Sequence, residues 1–538
     1  MPKTTGTLLA IFVSMLFVAC GPNSQDSATE ADSSKTFIIG PGSEPKGLDP
    51  HIATDAVSFH IMNSIYDPLM RYDPRTGNIE PVSITHYTAS ENGKSYTFHL
   101  IKEARWSNGD PVVAADWVAG FRRALRPEVS TPYIFYFNSI INAEKYNLGE
   151  VEWEEVGIKV IDDYTFEVKM NTPKLFFITS LSQTCFYPIH RASMEPFGAE
   201  TSITTDYFQA DNLVGNGPFV LTEWVPDDRL VAERNPYYHN RDEMLLDKIV
   251  YRSIENNDSE LRAYETGAIH KTSEIPKAKL RTFRETGRED MRADALYGTY
   301  YYRFNLNRPP LDDRRVRQAL AYTIDRFEIV NFVTNGGQPV ANTFVPPQIA
   351  GYTQPASFEE DIEEARRLLA EAGFPNGEGF PKLTLIYNTS EGHRAIAQAV
   401  QQMWKTHLGI DVSLLNQEWK VYLKTVEDRD YDISRAAWVG GVDPEGYLDL
   451  FRAESGNNHT GYNNPEFDRL FTAASQEPDP AKRMALFQQA EITAMADLPI
   501  APMYHYLEFY LLNPKVTNWP NNPATSFIFN NVQFGDAQ

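Results

Sequence analysis

From residue 362 to residue 438 the chain repeats one rhythm, helix then strand, and this constrains the fold more than any other feature. Ile362, Ala365, Leu369 and Ala372 fall on one helical face that stops at Gly373, and Leu383 to Tyr387 follows as an apolar strand. His393 to Leu408 then reads as a helix closed by Gly409, Ile410 to Leu415 as a strand, Trp419 to Val426 as a helix and Tyr431 to Trp438 as a strand. Such alternation predicts a parallel sheet with helices on both faces, a fold that binds ligands at the carboxyl ends of its strands.

At 538 residues the chain exceeds the size at which single cores stop growing, so at least two globular units are expected. Before the alternating region, Tyr96 to Leu100 alternates as a strand and Asn108-Gly109 marks a turn. Val113 to Leu125 reads as a helix, and Ile158 to Met170 as a hairpin turning at Asp162-Asp163. Residues 67–190 could therefore form a subdomain. Asp312 or Asp313 can cap a helix whose buried stripe is Val316, Ala319, Leu320, Thr323 and Ile324. Arg314, Arg315 and Arg317 beside that stripe look like an anion site, but a solvated helical face accounts for them more simply.

Lys and Arg number 49 against 72 Asp and Glu, a formal charge of -23 that disfavours nucleic acid and anionic lipid surfaces as partners. At the start, Lys3 precedes the apolar run Leu8 to Val18. That run is shorter than the ~20 residues a membrane span needs and suits a secretory signal. Leu16-Phe17-Val18-Ala19-Cys20 resembles a bacterial lipobox, with Phe17 where Leu is usual. Residues 1–19 then form a lipoprotein signal peptide and Cys20 the lipidated mature N-terminus; the alternative is an ordinary signal cut nearby. Residues 20–36 lack large apolar side chains and read as a flexible tether. With Cys20 lipidated, Cys185 has no partner for a disulfide and reads as a buried core residue.

Chemistry-bearing motifs are missing. Gly93-Lys94-Ser95 lacks the upstream glycine of a phosphate-binding loop, so no nucleotide-driven step is expected of the chain itself. There is no H-E-x-x-H, C-x-x-C or G-x-S-x-G, and the 11 histidines show no metal-ligand spacing. Neither a metal nor another cofactor is expected. Because catalytic groups converge in space rather than in sequence, this lowers the expectation of an enzyme without excluding one.

Five blocks carry a resemblance: GSEPKGLDPH (42–51), YTFHLIKEARWSNGDPV (96–112), GNGPFVLTEWVPDDRLVAERNPYY (215–238), GTYYYRFNLNRPPLDDRRVRQAL (298–320), and the stretch from YNTSEGHRAIAQAVQQMWK through NQEWK to YDISRAAW (387–438). In this order they resemble the extracellular solute-binding proteins of family 5, and the last block points to the oligopeptide-binding branch. The resemblance implies an α/β, type II periplasmic-binding-protein fold. In that fold two lobes joined by a two-segment hinge close over ligand, and the first lobe carries an extra domain. The crossings are placed near Gly298 and Tyr506. Lobe I then comprises residues 37–66, 191–297 and 508–538, the extra domain residues 67–190, and lobe II residues 298–507. The implied role is the peptide-capturing, non-enzymatic component of an ABC importer. Its partners would be a short peptide and separate permease and ATPase subunits, and it would work as a monomer facing the periplasm or cell envelope, held to the membrane only by lipid.

By position within these motifs, the ligand-contacting segment matches Arg435 to Gly441, including Trp438 and Val439, with Trp419, His393, Tyr301, Tyr136 and Tyr506 as further walls. Tyr300, Tyr301 and Tyr302 lie on one strand, so one face of the run must be core, and Tyr301 or its two neighbours face ligand. Trp438 could equally be a core residue at a strand end. Oligopeptide-binding members carry an Asp three residues after this Trp, paired with the peptide's α-ammonium; here Gly441 occupies the position. Either Asp443 takes over or amine recognition is lost. Arg303 stands where the peptide branch tends to carry Glu. Together these changes would make the cleft more positive and favour acidic, N-blocked or cell-wall-derived peptides.

Three other readings stay open. The same family includes binders of dipeptides, murein peptides, nickel and haem; nickel is disfavoured because no histidine cluster accompanies the site. A sensor that presents ligand to a membrane receptor would have the same sequence features. A periplasmic hydrolase would need a nucleophile that none of the wall residues supplies, His393 being the one candidate base.

Overall fold

The computed structural model describes residues 35–73, 78–91, 93–172, 176–439, 441–519, 529 and 531–535. The signal peptide, Cys20 and nearly all of the tether lie outside the described residues. Among the described residues no helix is long and apolar enough to cross a membrane.

Three main sheets organise the chain. The first has the order Thr36–Ile39, Lys248–Arg252, Arg229–Arg234, Phe219–Val225, its first pair parallel and the others antiparallel. The second is antiparallel, in the order Ile84–Ala89, Ser95–Leu100, Thr165–Lys169, Ile158–Asp162. Tyr96, Phe98 and Leu100 alternate inward, Phe166 and Val168 face the same core, and helix Ala114–Leu125 supplies Trp117 and Phe121 to it. This one-sided burial is what the alternation predicted. Cys185 is fully buried in that core, and burial pushes its thiol pKa up.

The third sheet corrects one expectation. Strands Leu383–Asn388, Val412–Gln417 and Ile433–Val439 are mutually parallel, as the helix–strand rhythm implied. Two long strands complete the sheet: Met291–Phe304 pairs antiparallel to Ile433–Val439, and Ile500–Leu511 pairs antiparallel to Met291–Phe304 at the edge. The sheet is therefore mixed rather than parallel, because Met291–Phe304 enters it from the first sheet's side and runs against both of its neighbours. Helix Glu391–Leu408 packs on one face and Trp419–Glu427 on the other, which satisfies the two-faced burial a central parallel strand needs. Ser390 caps the first of these helices, and Gly409 at φ 72° ends it in the left-handed conformation.

The long pair is irregular in the middle. Ala295 faces Leu507, but the next paired residues are Thr299 and His505, so residues 296–298 stand against Tyr506 alone. Gly298 lies in this stretch with its neighbours close: a Cβ there would stand 3.1 Å from the Tyr506 ring and 3.1 Å from Val439. Above the break the pair touches the first sheet's side, where Leu511 N–H donates to Thr272 Oγ1. Below it, the pair is the edge of the third sheet.

Asp313, not Asp312, caps helix Arg314–Tyr322 by accepting from Arg315 N–H, and the predicted stripe is buried. Of the arginines beside it, Arg314 and Arg315 lie on the solvated face that was expected, and Arg317 does not. Arg317 is only 4% exposed and donates to the carbonyls of Asp497, Leu498, Leu311 and Asp312, closing the C-terminus of helix Pro480–Asp497. Arg315 pairs with its own cap residue at the surface. Removing a buried donor strands its acceptors, whereas exposed pairs contribute little. Arg317→Ala should therefore cost on the order of 3 kcal/mol in urea unfolding, and Arg315→Ala less than about 1 kcal/mol. Equal costs would contradict the clamp.

Candidate functional site

Cross-strand pairing sorts the candidate residues onto two faces of the third sheet. Tyr302 stands opposite Arg435 and Tyr300 opposite Ala437; Tyr301 stands opposite Ala436 and Thr299 opposite Trp438. Directly opposed residues share a face, so Tyr300, Tyr302 and Arg435 lie on one side and Tyr301 and Trp438 on the other.

On the first face a polar cluster gathers around Arg435. Its guanidinium lies 4.7 Å from the Tyr300 ring centroid, donates from Nη2 to the Tyr506 hydroxyl at 3.0 Å and from Nη1 to Asn388 Oδ1 at 3.3 Å. Its Nε is buried without a hydrogen-bond partner. Tyr300 stacks on Tyr504 at 4.9 Å, and its hydroxyl sits 3.4 Å from His393 Nδ1. His393 opens helix Glu391–Leu408. Burial, with the charges of Arg435 and Lys277, lowers its pKa to about 3, so the ring is neutral at ordinary pH. Lys277, at the start of helix Lys277–Thr286 beside the first sheet, comes close: a Cβ on Gly392 would stand 3.3 Å from its Nζ. Around Arg435 the charge is thus positive, and the groups acting on the guanidinium are tyrosines rather than carboxylates.

The remaining candidates are distributed differently. Tyr301 is 0% exposed, packed edge-on against Phe344 at 5.0 Å. It is therefore Tyr300 that the strand presents to Arg435 and His393, one of the two neighbours that alternation allowed. Trp438 is half-buried, and its indole N–H donates to the Gly446 carbonyl at 2.7 Å. Val439 is 61% exposed at the strand end. Gly441 has φ 79°, with open space where a side chain would start. Asp443 is 8% exposed and held by both terminal nitrogens of Arg483 at 2.7 and 2.9 Å; Arg483 also takes Glu445 at 2.8 Å. Its carboxylate is already neutralised, so in this arrangement it is not free to meet the ammonium that Gly441 leaves unmatched. Tyr136 sits in the unit of the second sheet, against Tyr133 and Phe186. Arg303 shares the face of Tyr301, its guanidinium 5.7 Å from that ring. The side chain of Trp419 lies outside the described residues.

The sequence reading missed Tyr504, Asn388 and Lys277 as members of the cluster and held Tyr300 only as an alternative to Tyr301. The i, i+2 spacing of Tyr504 and Tyr506 was a usable signal, since it puts two rings on one face of a strand. Nothing local signalled Lys277, which arrives from another sheet.

Just beside Tyr506, His505 is fully buried, with Nδ1 2.9 Å from Thr299 Oγ1, and burial lowers its pKa from 6.5 to about 4. His51 and His270 are depressed to about 4 as well, chiefly by burial. A depressed histidine pKa means that the unfolded chain binds protons the folded one does not. Stability is thereby lost as pH falls from about 6.5 to about 4. His505→Gln should lose less melting temperature than the wild type between about pH 7 and about pH 4 in scanning calorimetry. Parallel curves would show that His505 titrates normally in the folded protein.

Residues 78–459 match the family described as bacterial extracellular solute-binding proteins, family 5 Middle. The oligopeptide-binding protein OppA of Bacillus subtilis is 33% identical over 545 residues, covering 98% of each chain. Among solved structures, the Escherichia coli murein tripeptide binding protein MppA superposes with a TM-score of 0.79 at 30% identity, covering 93% of this chain and 99% of that one. Haemophilus influenzae OppA in complex with RPPGFSPFR gives 0.77 at 29% identity, covering 94% and 99%. Both the fold and the length agree with the resemblance read from the sequence blocks, and the chain belongs to the family 5 bacterial extracellular solute-binding proteins.

Proposed function

We propose that this protein captures short peptides between two lobes and delivers them to a membrane permease driven by separate ATPase subunits. The observation that carries the reading is the match over 98% of both chains to a protein named for binding oligopeptides. Lobe I is taken as residues 37–66, 191–297 and 508–538, the extra domain as 67–190 and lobe II as 298–507. Crossings at Gly298 and Tyr506 would fall in the irregular stretch of the long strand pair, the natural place for bending. Cys20 would carry the lipid that holds the protein at the outer side of the membrane. No enzymatic step is proposed.

Arg435 gives the site its chemistry. A half-buried guanidinium that leans on Tyr300 and Tyr506 and meets no carboxylate wants an anion, and the anion every unmodified peptide carries is its terminal carboxylate. His393, Tyr300 and Tyr506 would flank it, with Trp438, Val439 and Gly441 at the strand end. Tyr136 and Trp419 are carried as outer walls. Reading main chain and terminus rather than side chains lets one protein accept many peptides.

Two measurements test this. Native mass spectra of the purified protein should show co-purifying short peptides; an empty cleft with no calorimetric response to a peptide panel would remove the peptide reading. Free-acid tripeptides should bind roughly tenfold or more tightly than their C-terminal amides, as expected for one charge-assisted pair. Arg435→Gln should bring the two to within about twofold. An acid-to-amide ratio that survives the substitution would place the carboxylate elsewhere.

A further inference from the structure

Among the described residues, four deeply placed arginines are each held by carboxylates or by several backbone carbonyls. Arg123 pairs with Asp49, Arg483 with Asp443 and Glu445, Arg317 with four carbonyls, and Arg326 with the carbonyls of Ala341, Pro502, Ala321 and Ile324. Arg435 and Arg303 are different. The Arg435 guanidinium lies on one face of strand Ile433–Val439; Arg303 stands opposite Ser434 and so lies on the other.

Arg303 is half-buried, and among the described residues it pairs with no carboxylate. The polar groups acting on its charge are the hydroxyls of Tyr301, Tyr422 and Tyr431. Tyr431 donates to the His459 carbonyl at 2.7 Å, and Tyr422 donates to the Arg435 carbonyl. His459 offers no counter-charge: burial and the charges of Arg303 and Arg429 lower its pKa to about 4. Beside the guanidinium, Tyr301 and Ser434 are 0% exposed, and their hydroxyls have Arg303, Tyr422 and Tyr431 as polar neighbours. None of these neighbours is an anion, so the guanidinium charge itself stays unmatched on this face, which is costly for a group taken out of water. One acceptor with two oxygens would supply the missing charge, because a carboxylate matches the planar guanidinium fork and has lone pairs left for the hydroxyls.

We propose that Arg303, Tyr301 and Ser434 form a recess that receives an acidic side chain of the bound ligand. The recess lies under helix Trp419–Glu427 and is joined to the Arg435 cluster through Tyr422, whose hydroxyl holds the Arg435 carbonyl. Two anion positions on opposite faces of one strand suit a peptide with a terminal carboxylate and a second acidic group. The inference rests on the peptide reading and gives the acidic preference expected of Arg303 a specific face of the sheet and specific residues. It also accounts for why a positive charge is tolerated at this depth without an internal partner.

The test is calorimetric titration with tripeptides in which Glu, Gln or Lys is placed at each position in turn. Wild-type protein should prefer Glu over its isostere Gln by roughly tenfold or more at one position and bind Lys there most weakly. Arg303→Lys should keep the sign of the preference, Arg303→Gln should collapse the Glu-to-Gln ratio toward one, and Arg303→Glu should favour Lys. Melting curves establish that each variant is folded. A Glu-to-Gln ratio that stays the same in folded Arg303→Gln, or a wild-type preference for Lys, overturns the inference while leaving peptide capture standing. Failure of the wild type to bind any peptide overturns the peptide reading and this inference with it.

Discussion

Everything in the third sheet hangs on the antiparallel pairing of Met291–Phe304 with Ile500–Leu511. These are the strands that leave the first sheet's side and enter the mixed sheet, and they do so next to each other. Two adjacent segments resist twisting better than one but still bend where their register breaks. The break falls at residues 296–298 against Tyr506, where ladder hydrogen bonds are interrupted and the cost of a change in backbone angle is lowest. Tyr506 accepts from Arg435 at the same point. Under the proposed function, a ligand carboxylate arriving at Arg435 would act on a side chain bonded directly to the irregular stretch, which would tie occupancy to lobe position without any intervening element.

The sheet's two faces are polarised differently because their neighbours differ. Toward helix Glu391–Leu408 the tyrosine rings stack on one another and surround a single guanidinium. Toward helix Trp419–Glu427 a second guanidinium is surrounded by hydroxyls. Elsewhere the protein neutralises its deep charges internally, as in the bidentate hold of Arg123 on Asp49. A fold that can build such pairs and does not build them at Arg435 and Arg303 leaves its unspent donors where the strands of the sheet meet the proposed cleft. Isolated buried charge is among the costliest features a protein can retain, and partial exposure plus tyrosine contact reduces that cost without removing it.

Local features of the fold were legible in sequence and long-range ones were not, for a physical reason. Ser390, Gly409 and Asp313 announce helix ends because capping involves neighbours within a few residues. The alternation of Tyr96, Phe98 and Leu100 announces a half-buried strand in the same way. Which of three consecutive tyrosines faces Arg435 depends instead on strand order, and strand order depends on residues far away. Arg317 looked like a surface residue because its acceptors at Asp497 and Leu498 lie 180 and 181 positions distant. Asp443 looked available because Arg483 is 40 positions on. Family blocks supplied what periodicity could not: they brought His393, Arg435 and Tyr506 into one site, though not Tyr300, Asn388 or Lys277.

The overall charge of -23 opposes an anionic ligand only at long range, and the resolution is one of distance. At physiological ionic strength surface charges are screened over about 8 Å, so carboxylates scattered over a chain of this size contribute little inside a recess. Arg435, Arg303 and Lys277 act at contact range and in a less polar medium, where one pair at 4 Å is worth about four times its value in bulk water. For the proposed acidic peptides, the global field would slow approach, whereas the local one would decide how long they stay. Affinity among related ligands is governed mainly by departure, so an acidic protein with a positive recess can still select acidic cargo.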